Sequence, residues 1–217
     1  MTLVNATAEL IGGQRLLDHP FYVAWSKGEL TAEALRRYAT QYYHWVLAFP
    51  TYLSAVHANC EDIAMRQMLV ANLVDEELGG SNHPGLWLRF CDALGLERQA
   101  VRTAALLPET QQAIHTFRTI CREPPAVAGL AAIYAYEAQQ PDVMRVKREG
   151  LSTFYDVTDG HDYFEVHETL DVAHSTQERQ QIERLGAGKE AEVLQAVRAA
   201  VAATYVLLDG VERVRHG

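Results

Sequence analysis

The stretch Asp162-Tyr163-Phe164-Glu165-Val166-His167-Glu168-Thr169-Leu170-Asp171-Val172-Ala173-His174 decides how this chain is read. As a helix, its His167-x3-Asp171-x2-His174 core puts two imidazoles and a carboxylate on one face within two turns, because residues three, four and seven apart are neighbours there. Glu165, Glu168 and Thr169 fall on the other face, which suits solvent, while Phe164, Leu170 and Val172 supply apolar contacts beside the polar trio. This is the form of an internal metal site. The plainer alternative is a solvated helix with incidental histidines, and the stretch alone does not choose between them.

Outward from it, the chain reads as one helix after another. Ser175-Thr176 predicts a fresh helix start running to Leu185, and Gly186-Ala187-Gly188 leads into a last amphipathic helix to Val214. That helix, from Glu190 through Val193, Val197, Val201 and Val206 to Leu208, either finishes the core or forms a dimer face. Upstream, residues 6–27 are expected to be helical with a break at His19-Pro20, and Thr31 with Glu33 starts a helix whose Leu35, Tyr38, Tyr42 and Trp45 share a face. Pro50 predicts a kink or an end there, followed by a further helix over 51–60. Glycine and proline stops then set off helices over 61–78, 82–94, 108–121, 124–140 and 142–155. No segment alternates with period two for long, so the fold class is all-α, a bundle of seven or more helices.

A length of 217 residues suits one large core, and with no low-complexity run or long linker to divide it, residues 1–217 are expected to form a single domain. The net charge of -9, with no Lys/Arg cluster, excludes a phosphate-binding footprint and points away from nucleic acid and anionic membrane, towards small-molecule partners. Cys60, Cys91 and Cys121 are odd in number and widely spaced, which suits reduced interior thiols. The N-terminal residues lack a basic segment followed by an apolar run, and no uninterrupted apolar stretch reaches the roughly 18 residues of a membrane span. A cytoplasmic location is expected.

A bundle with one His/Asp/His helix needs further ligands from other helices. In Gly129-Leu130-Ala131-Ala132-Ile133-Tyr134-Ala135-Tyr136-Glu137, a lone carboxylate ends a run apolar nearly all round; buried there, it must meet a cation or a metal, or take up a proton. In Asp75-Glu76-Glu77-Leu78-Gly79-Gly80-Ser81-Asn82-His83, Glu76 and His83 lie seven apart across a Gly-Gly break; acids at a helix end before a capping loop are also ordinary. Together Glu76, His83, Glu137, His167, Asp171 and His174 make three carboxylates and three imidazoles. Mixed oxygen and nitrogen ligation of this kind suits a pair of iron or manganese ions, and not structural zinc, which uses fewer and softer ligands.

On these residues the sequence resembles the haem-oxygenase-like dimetal oxidases, and among them the CADD branch (Chlamydia protein associating with death domains). Members hold a dinuclear site with a Glu-x6-His pair, a lone Glu on a middle helix and a His-x3-Asp-x2-His helix. The branch is suggested by Tyr22 in His19-Pro20-Phe21-Tyr22, by Tyr136 next to Glu137, and by Lys147 ten residues after Glu137. More distant relatives of the TenA and PqqC kinds share the fold without these ligands.

The resemblance implies that two transition-metal ions, either two irons or a manganese–iron pair, use O2 and an external reductant to make para-aminobenzoate for folate synthesis from one of the protein's own tyrosines. It further implies Tyr22 as the source of the ring, Lys147 as the source of the amino group, and Tyr38, Tyr136 and Tyr163 as assistants in electron transfer. A homodimer is expected from the relatives; nothing in the sequence marks a surface for a death domain. Three readings stay open at this level: the self-consuming oxidase, the same metal site acting on an external small amine, amino acid or fatty acid, and a helical interaction protein without catalysis. Taken residue by residue, Tyr22 also suits an aromatic core with Phe21 and Trp25, and Lys147 a solvated face in Met144-Arg145-Val146-Lys147-Arg148-Glu149. His19, His44, His57, His115, His161 and His216 lack comparable acid partners and are expected to be packing or surface residues.

Overall fold

In a computed structural model that describes residues 2–80 and 82–215, the elements in chain order are α1 (Leu3–Gly12), a 3-10 turn (Leu16–Asp18), α2 (Pro20–Ser26), α3 (Ala32–Ala58), α4 (Ile63–Glu77), α5 (His83–Ala93), α6 (Arg98–Arg102), α7 (Pro108–Arg122), α8 (Ala126–Glu137), α9 (Gln140–Phe154), α10 (Asp162–Leu185) and α11 (Glu190–Arg215). Among the described residues there is no strand, so the all-α class holds.

Several helices begin where the sequence supplies a cap. Thr31 accepts from the Ala34 amide at the start of α3, Asp62 from Met65 at α4, and Asn82 from Gly85 at α5. Prolines stand in the first turn of α2, α5, α7 and α9, where a missing N–H costs nothing.

The bundle is built around α8, whose residues from Val127 to Glu137 are all buried. It is flanked by α3, α7, α10 and α11. Its small residues let the neighbours close in: a Cβ on Gly129 would lie 2.8 Å from Val56 Cγ2 and 3.1 Å from the Cys121 Cα. The last helix finishes the core. Val193, Val197, Val201, Leu207 and Leu208 of α11 are buried against α7 and α8, so a helix long and apolar enough by composition to cross a membrane spends its apolar face inside the bundle.

Three sequence expectations change. Pro50 ends nothing: α3 runs from Ala32 to Ala58 as one helix, and residues 51–58 belong to it. A mid-helix proline costs about 3 kcal/mol, whereas burying Phe49, Tyr52, Leu53 and Val56 on either side contributes about 1.5–3 kcal/mol each. Ser175 and Thr176 start no helix, because their hydroxyls turn back onto the preceding turn, donating to the Asp171 carbonyl at 2.6 Å and the Val172 carbonyl at 2.7 Å. The helix that carries His167, Asp171 and His174, α10, is therefore continuous to Leu185. Finally, the expected helix over 6–27 breaks at Gly12-Gly13 as well as at His19-Pro20, giving α1, the 3-10 turn and α2.

Candidate metal centre

The ends of three helices converge on the middle of α10. Glu76 lies in the last turn of α4, His83 is the first residue of α5, and Glu137 is the last of α8. His167, Asp171 and His174 share the inward face of α10, and all six residues are buried, with at most 8% of any of them exposed. Their donor atoms fall into two groups, Glu76/His83/His167 and Glu137/Asp171/His174, and within each group one donor from every residue lies within 4.8 Å of the others. The Glu76–His83 approach is made by the short connection between α4 and α5. Gly79 turns the chain at φ +78°, and the Asn82 side chain donates to the Gly79 carbonyl at 2.9 Å while capping α5.

Four polar atoms of this cluster lack protein hydrogen-bond partners. Glu137 Oε2, Asp171 Oδ2 and His174 Nδ1 are buried with no hydrogen bond. His83 Nδ1 lies 2.8 Å from Glu76 Oε2 but out of line for a hydrogen bond, as two ligands converging on one point do. A buried polar atom left unpaired costs about 1–3 kcal/mol, so several at one place fit a pair of cations that would satisfy them together.

The outer nitrogens are already engaged. His167 Nδ1 sits 2.6 Å from the Tyr163 carbonyl, which only accepts, so that nitrogen carries the proton and Nε2 is free to ligate. His174 Nε2 faces Asp75 Oδ2 at 3.2 Å, leaving its buried Nδ1 towards Asp171. Metal-binding histidines are ordinarily oriented through such carbonyl and carboxylate partners.

Without cations, the electrostatics of the cluster is that of crowded buried acids. Burial pushes Glu137 up to about 7, with nearby His174 opposing and Glu76 adding to the shift. Asp171 is raised by burial and then by Glu137 and Glu76. His167 is lowered by burial and then by His83, so it stays neutral as a ligand must. Two divalent cations would reverse the carboxyl shifts, since the positive charge favours the ionised form.

A second buried cluster adjoins the first. Lys147 points inward, fully buried, and its Nζ has no hydrogen-bond partner; it stands 4.5 Å from the ring centre of Tyr42, 5.1 Å from Tyr22, 5.3 Å from Tyr38 and 5.9 Å from Trp87. Burial drives its amine well below the ordinary lysine range. Tyr22 and Tyr38 share a hydrogen bond of 3.1 Å, the Tyr38 and Tyr42 rings are 5.1 Å apart, and Tyr42 shares a short 2.5 Å hydrogen bond with Tyr136. Tyr136 in turn lines a small cavity with Tyr163, Glu76, Glu137, His167 and Asp171. The Tyr163 ring packs on His167 at 4.0 Å. The five nominated residues Tyr22, Lys147, Tyr38, Tyr136 and Tyr163 are thus gathered beside the six candidate ligands. A larger surface recess lined by Arg15, Gln139 and Asp142 lies away from this cluster and includes none of these residues.

Sequence reasoning missed Tyr42, Asn72 and Asp75. Tyr42 was recognisable only as a member of the buried face of α3; that its hydroxyl joins Tyr38 to Tyr136 depends on α8 lying alongside. Asn72 donates to Glu137 Oε1 at 3.3 Å. Asp75 could not be told from Glu77, since an acidic run does not show which neighbour of Glu76 reaches a histidine on another helix. His19, set aside as lacking an acid partner, meets Asp209 of α11 at 3.1 Å, and its Nδ1 accepts from the Phe21 amide at the start of α2. His216 falls outside the described residues.

A family model described as iron-containing redox enzyme matches residues 36–205. The chain is 46% identical to a 4-aminobenzoate synthase of Nitrosomonas europaea, over 97% of this chain and 91% of that protein. It is 38% identical to a 4-aminobenzoate synthase of Chlamydia muridarum, over 96% of this chain and 89% of that one. Among solved structures, a TenA homologue from Pseudomonas syringae superposes with a TM-score of 0.81 over 97% of this chain and 91% of its own, at 18% identity, which is a likeness of fold.

Proposed function

The chain belongs to the family of iron-containing redox enzymes with the haem-oxygenase-like fold that includes the 4-aminobenzoate synthases, and from that premise we propose that it makes 4-aminobenzoate by O2-dependent oxidation of its own Tyr22. Glu76, His83 and His167 would hold one metal ion and Glu137, Asp171 and His174 the other, as two irons or a manganese–iron pair. When bound and supplied with an external reductant, the pair would provide the oxidising power of O2.

The observation that carries this reading is Lys147. A lysine amine stripped of water, without a hydrogen bond or a counter-charge, is costly to keep in a core and serves no packing purpose that a methionine would not. Its Nζ stands 5.1 Å from the centre of Tyr22 and 4.5 Å from that of Tyr42, a proximity that supports Lys147 as the amine donor. Kept neutral, it has a lone pair to offer.

The remaining residues position and move protons and electrons. Tyr22 is fixed by the hydrogen bond to Tyr38, and burial raises the phenols of Tyr22, Tyr38, Tyr42 and Tyr136 so that each keeps its proton until an oxidation removes it. The chain of rings from Tyr22 through Tyr38 and Tyr42 to Tyr136 is a path along which a phenol distant from the metals can be oxidised. Trp45, Val46 and Phe49 give the cavity at the candidate ligands an apolar wall. That cavity is small, which favours an internal substrate over an external amine, amino acid or fatty acid. Self-association as a homodimer would cover the exposed apolar residues Ile63, Val70 and Val74 of α4 and Leu78 just after it.

The protein is to be loaded with iron and manganese, then given reductant and O2, with 4-aminobenzoate and the intact mass of the chain both measured. At most one product per chain is expected, with the loss of mass mapping to Tyr22 and Lys147. Full yield from Tyr22→Phe would refute the self-consuming reaction, and many turnovers on an added substrate with Tyr22 intact would replace it with the external one.

A further inference from the structure

The ligand stripe of α10 does not stop at His174. Glu178 follows it by four residues, continuing the spacing of four and three that joins His167, Asp171 and His174, and so stays on the same face. It is 1% exposed, and no protein donor reaches its buried carboxyl oxygens, whose hydrogen-bonding neighbour is the Glu137 carboxyl, another acid. The charges that act on it are those of Glu137 and Asp171, the two carboxylates of the second ligand group, whose own Oε2 and Oδ2 are unpartnered in the same way. Three acids thus gather inside the bundle with His174 as the basic side chain beside them and, among the described residues, no lysine or arginine paired to them.

Two divalent ions bring four positive charges, against three negative ones from Glu76, Glu137 and Asp171; Glu178 supplies the fourth, and the buried site closes as neutral. Burial of net charge is costly, so this balance has a physical reason. Its carboxylate is also the hard oxygen ligand that iron and manganese accept. Resting on the dinuclear reading given above, we propose that Glu178 is a seventh ligand of the centre, on the ion held by Glu137, Asp171 and His174.

Glu178→Gln separates this from the two simpler roles. Glutamine keeps the size of the side chain and can donate a hydrogen bond to Glu137, as a protonated Glu178 would, but it does not bring a carboxylate. Full-length protein, stripped of metal, is titrated anaerobically with Mn(II), and the ions retained after desalting are counted by elemental analysis. Wild type is expected to hold two ions. The variant is expected to hold one and to bind the second more than about a hundredfold more weakly, beyond the range that loss of an outer hydrogen-bond partner causes. Melting of the metal-free proteins gives an independent readout: Glu178→Gln and Glu178→Leu are expected to melt at or above the wild-type temperature, because an unpaired buried carboxyl is gone. Two ions retained in Glu178→Gln with affinities within about a hundredfold of wild type, or a lower metal-free melting temperature in both variants, would overturn ligation by Glu178. A wild-type protein that fails to take up two ions would instead remove the dinuclear reading itself, and this inference with it.

Discussion

Replacing Lys147 by methionine should stabilise the metal-free protein, by an amount that shrinks as the pH rises. The unfolded lysine is charged below its ordinary value of 10.5, while in the fold burial holds the amine well below that value. The unfolded state therefore binds more protons than the folded one, and wild-type stability must rise with pH up to about 10.5. Lys147 is fully buried, so solvent screening does not discount the effect. With each pH unit equivalent to about 1.4 kcal/mol, an amine that is neutral in the fold at pH 8 makes the deprotonation required for folding cost about 3 kcal/mol there and about 1 kcal/mol or less at pH 10.

The competing effect is the set of rings around Nζ, since four aromatic faces within 5.9 Å attract a cation. Such contacts reach about 2 kcal/mol when desolvated, but an ammonium without an anion or an acceptor forfeits its whole hydration, a penalty of several kcal/mol even after relaxation. The neutral amine is expected to win. Urea denaturation of wild type and Lys147→Met at pH 8, 9 and 10, with chelator present, measures the difference. Methionine packs much as the lysine stem does, so any packing change is constant with pH and only the slope is read. The stability gain of the variant should fall by about 2–3 kcal/mol between pH 8 and 10. A difference that does not change with pH would mean that the rings hold a charged lysine, and the role of Lys147 as a nucleophilic amine would go with it.

Two other outcomes follow from the geometry. Asp75→Ala removes the carboxylate 3.2 Å from His174 Nε2, and Mn(II) titration should show affinity for the second ion falling by about ten- to a hundredfold, while metal-free stability changes by less than about 0.5 kcal/mol because Asp75 is 42% exposed; unchanged affinity would release Asp75 from orienting His174. Gly160, just before α10, has φ +72° and its added Cβ would stand 2.8 Å from the Phe90 Cα and 2.9 Å from the Arg89 carbonyl, so Gly160→Ala should cost more than about 2 kcal/mol, or about 4–8 °C in melting temperature. Gly188→Ala, at φ +75° with nothing within 4 Å, is the control and should lose only the backbone part, about 1 kcal/mol; equal losses at the two positions would refute the clash.

How much of this was legible beforehand varies by residue. The His167/Asp171/His174 face followed from periodicity, because three, four and seven are helical spacings whatever surrounds the helix. Glu137 announced itself through its neighbours, since a single acid on an otherwise apolar helix has nowhere but the interior to go. Glu178 obeyed the same spacing yet was hidden, because the expected helix start at Ser175-Thr176 cut the stripe short; the hydroxyls bonded to the previous turn instead of capping a new one. Lys147 sat within a charged run that reads as surface, and its own helix could not tell that α9 turns this one position towards Tyr22, Tyr38 and Tyr42.

Local pattern along the chain carried the all-α class, most of the helices, the starts of α3 and α5, and the inventory of six candidate ligands, because these depend on interactions within a few residues. Packing alone set the division of that inventory into two groups of three, the position of Asp75 rather than Glu77 behind His174, and the row of phenols from Tyr22 to Tyr136. Those depend on how the ends of α4, α5 and α8 meet the middle of α10. That meeting is fixed by side chains far apart in sequence that share one buried volume, and no local pattern records it.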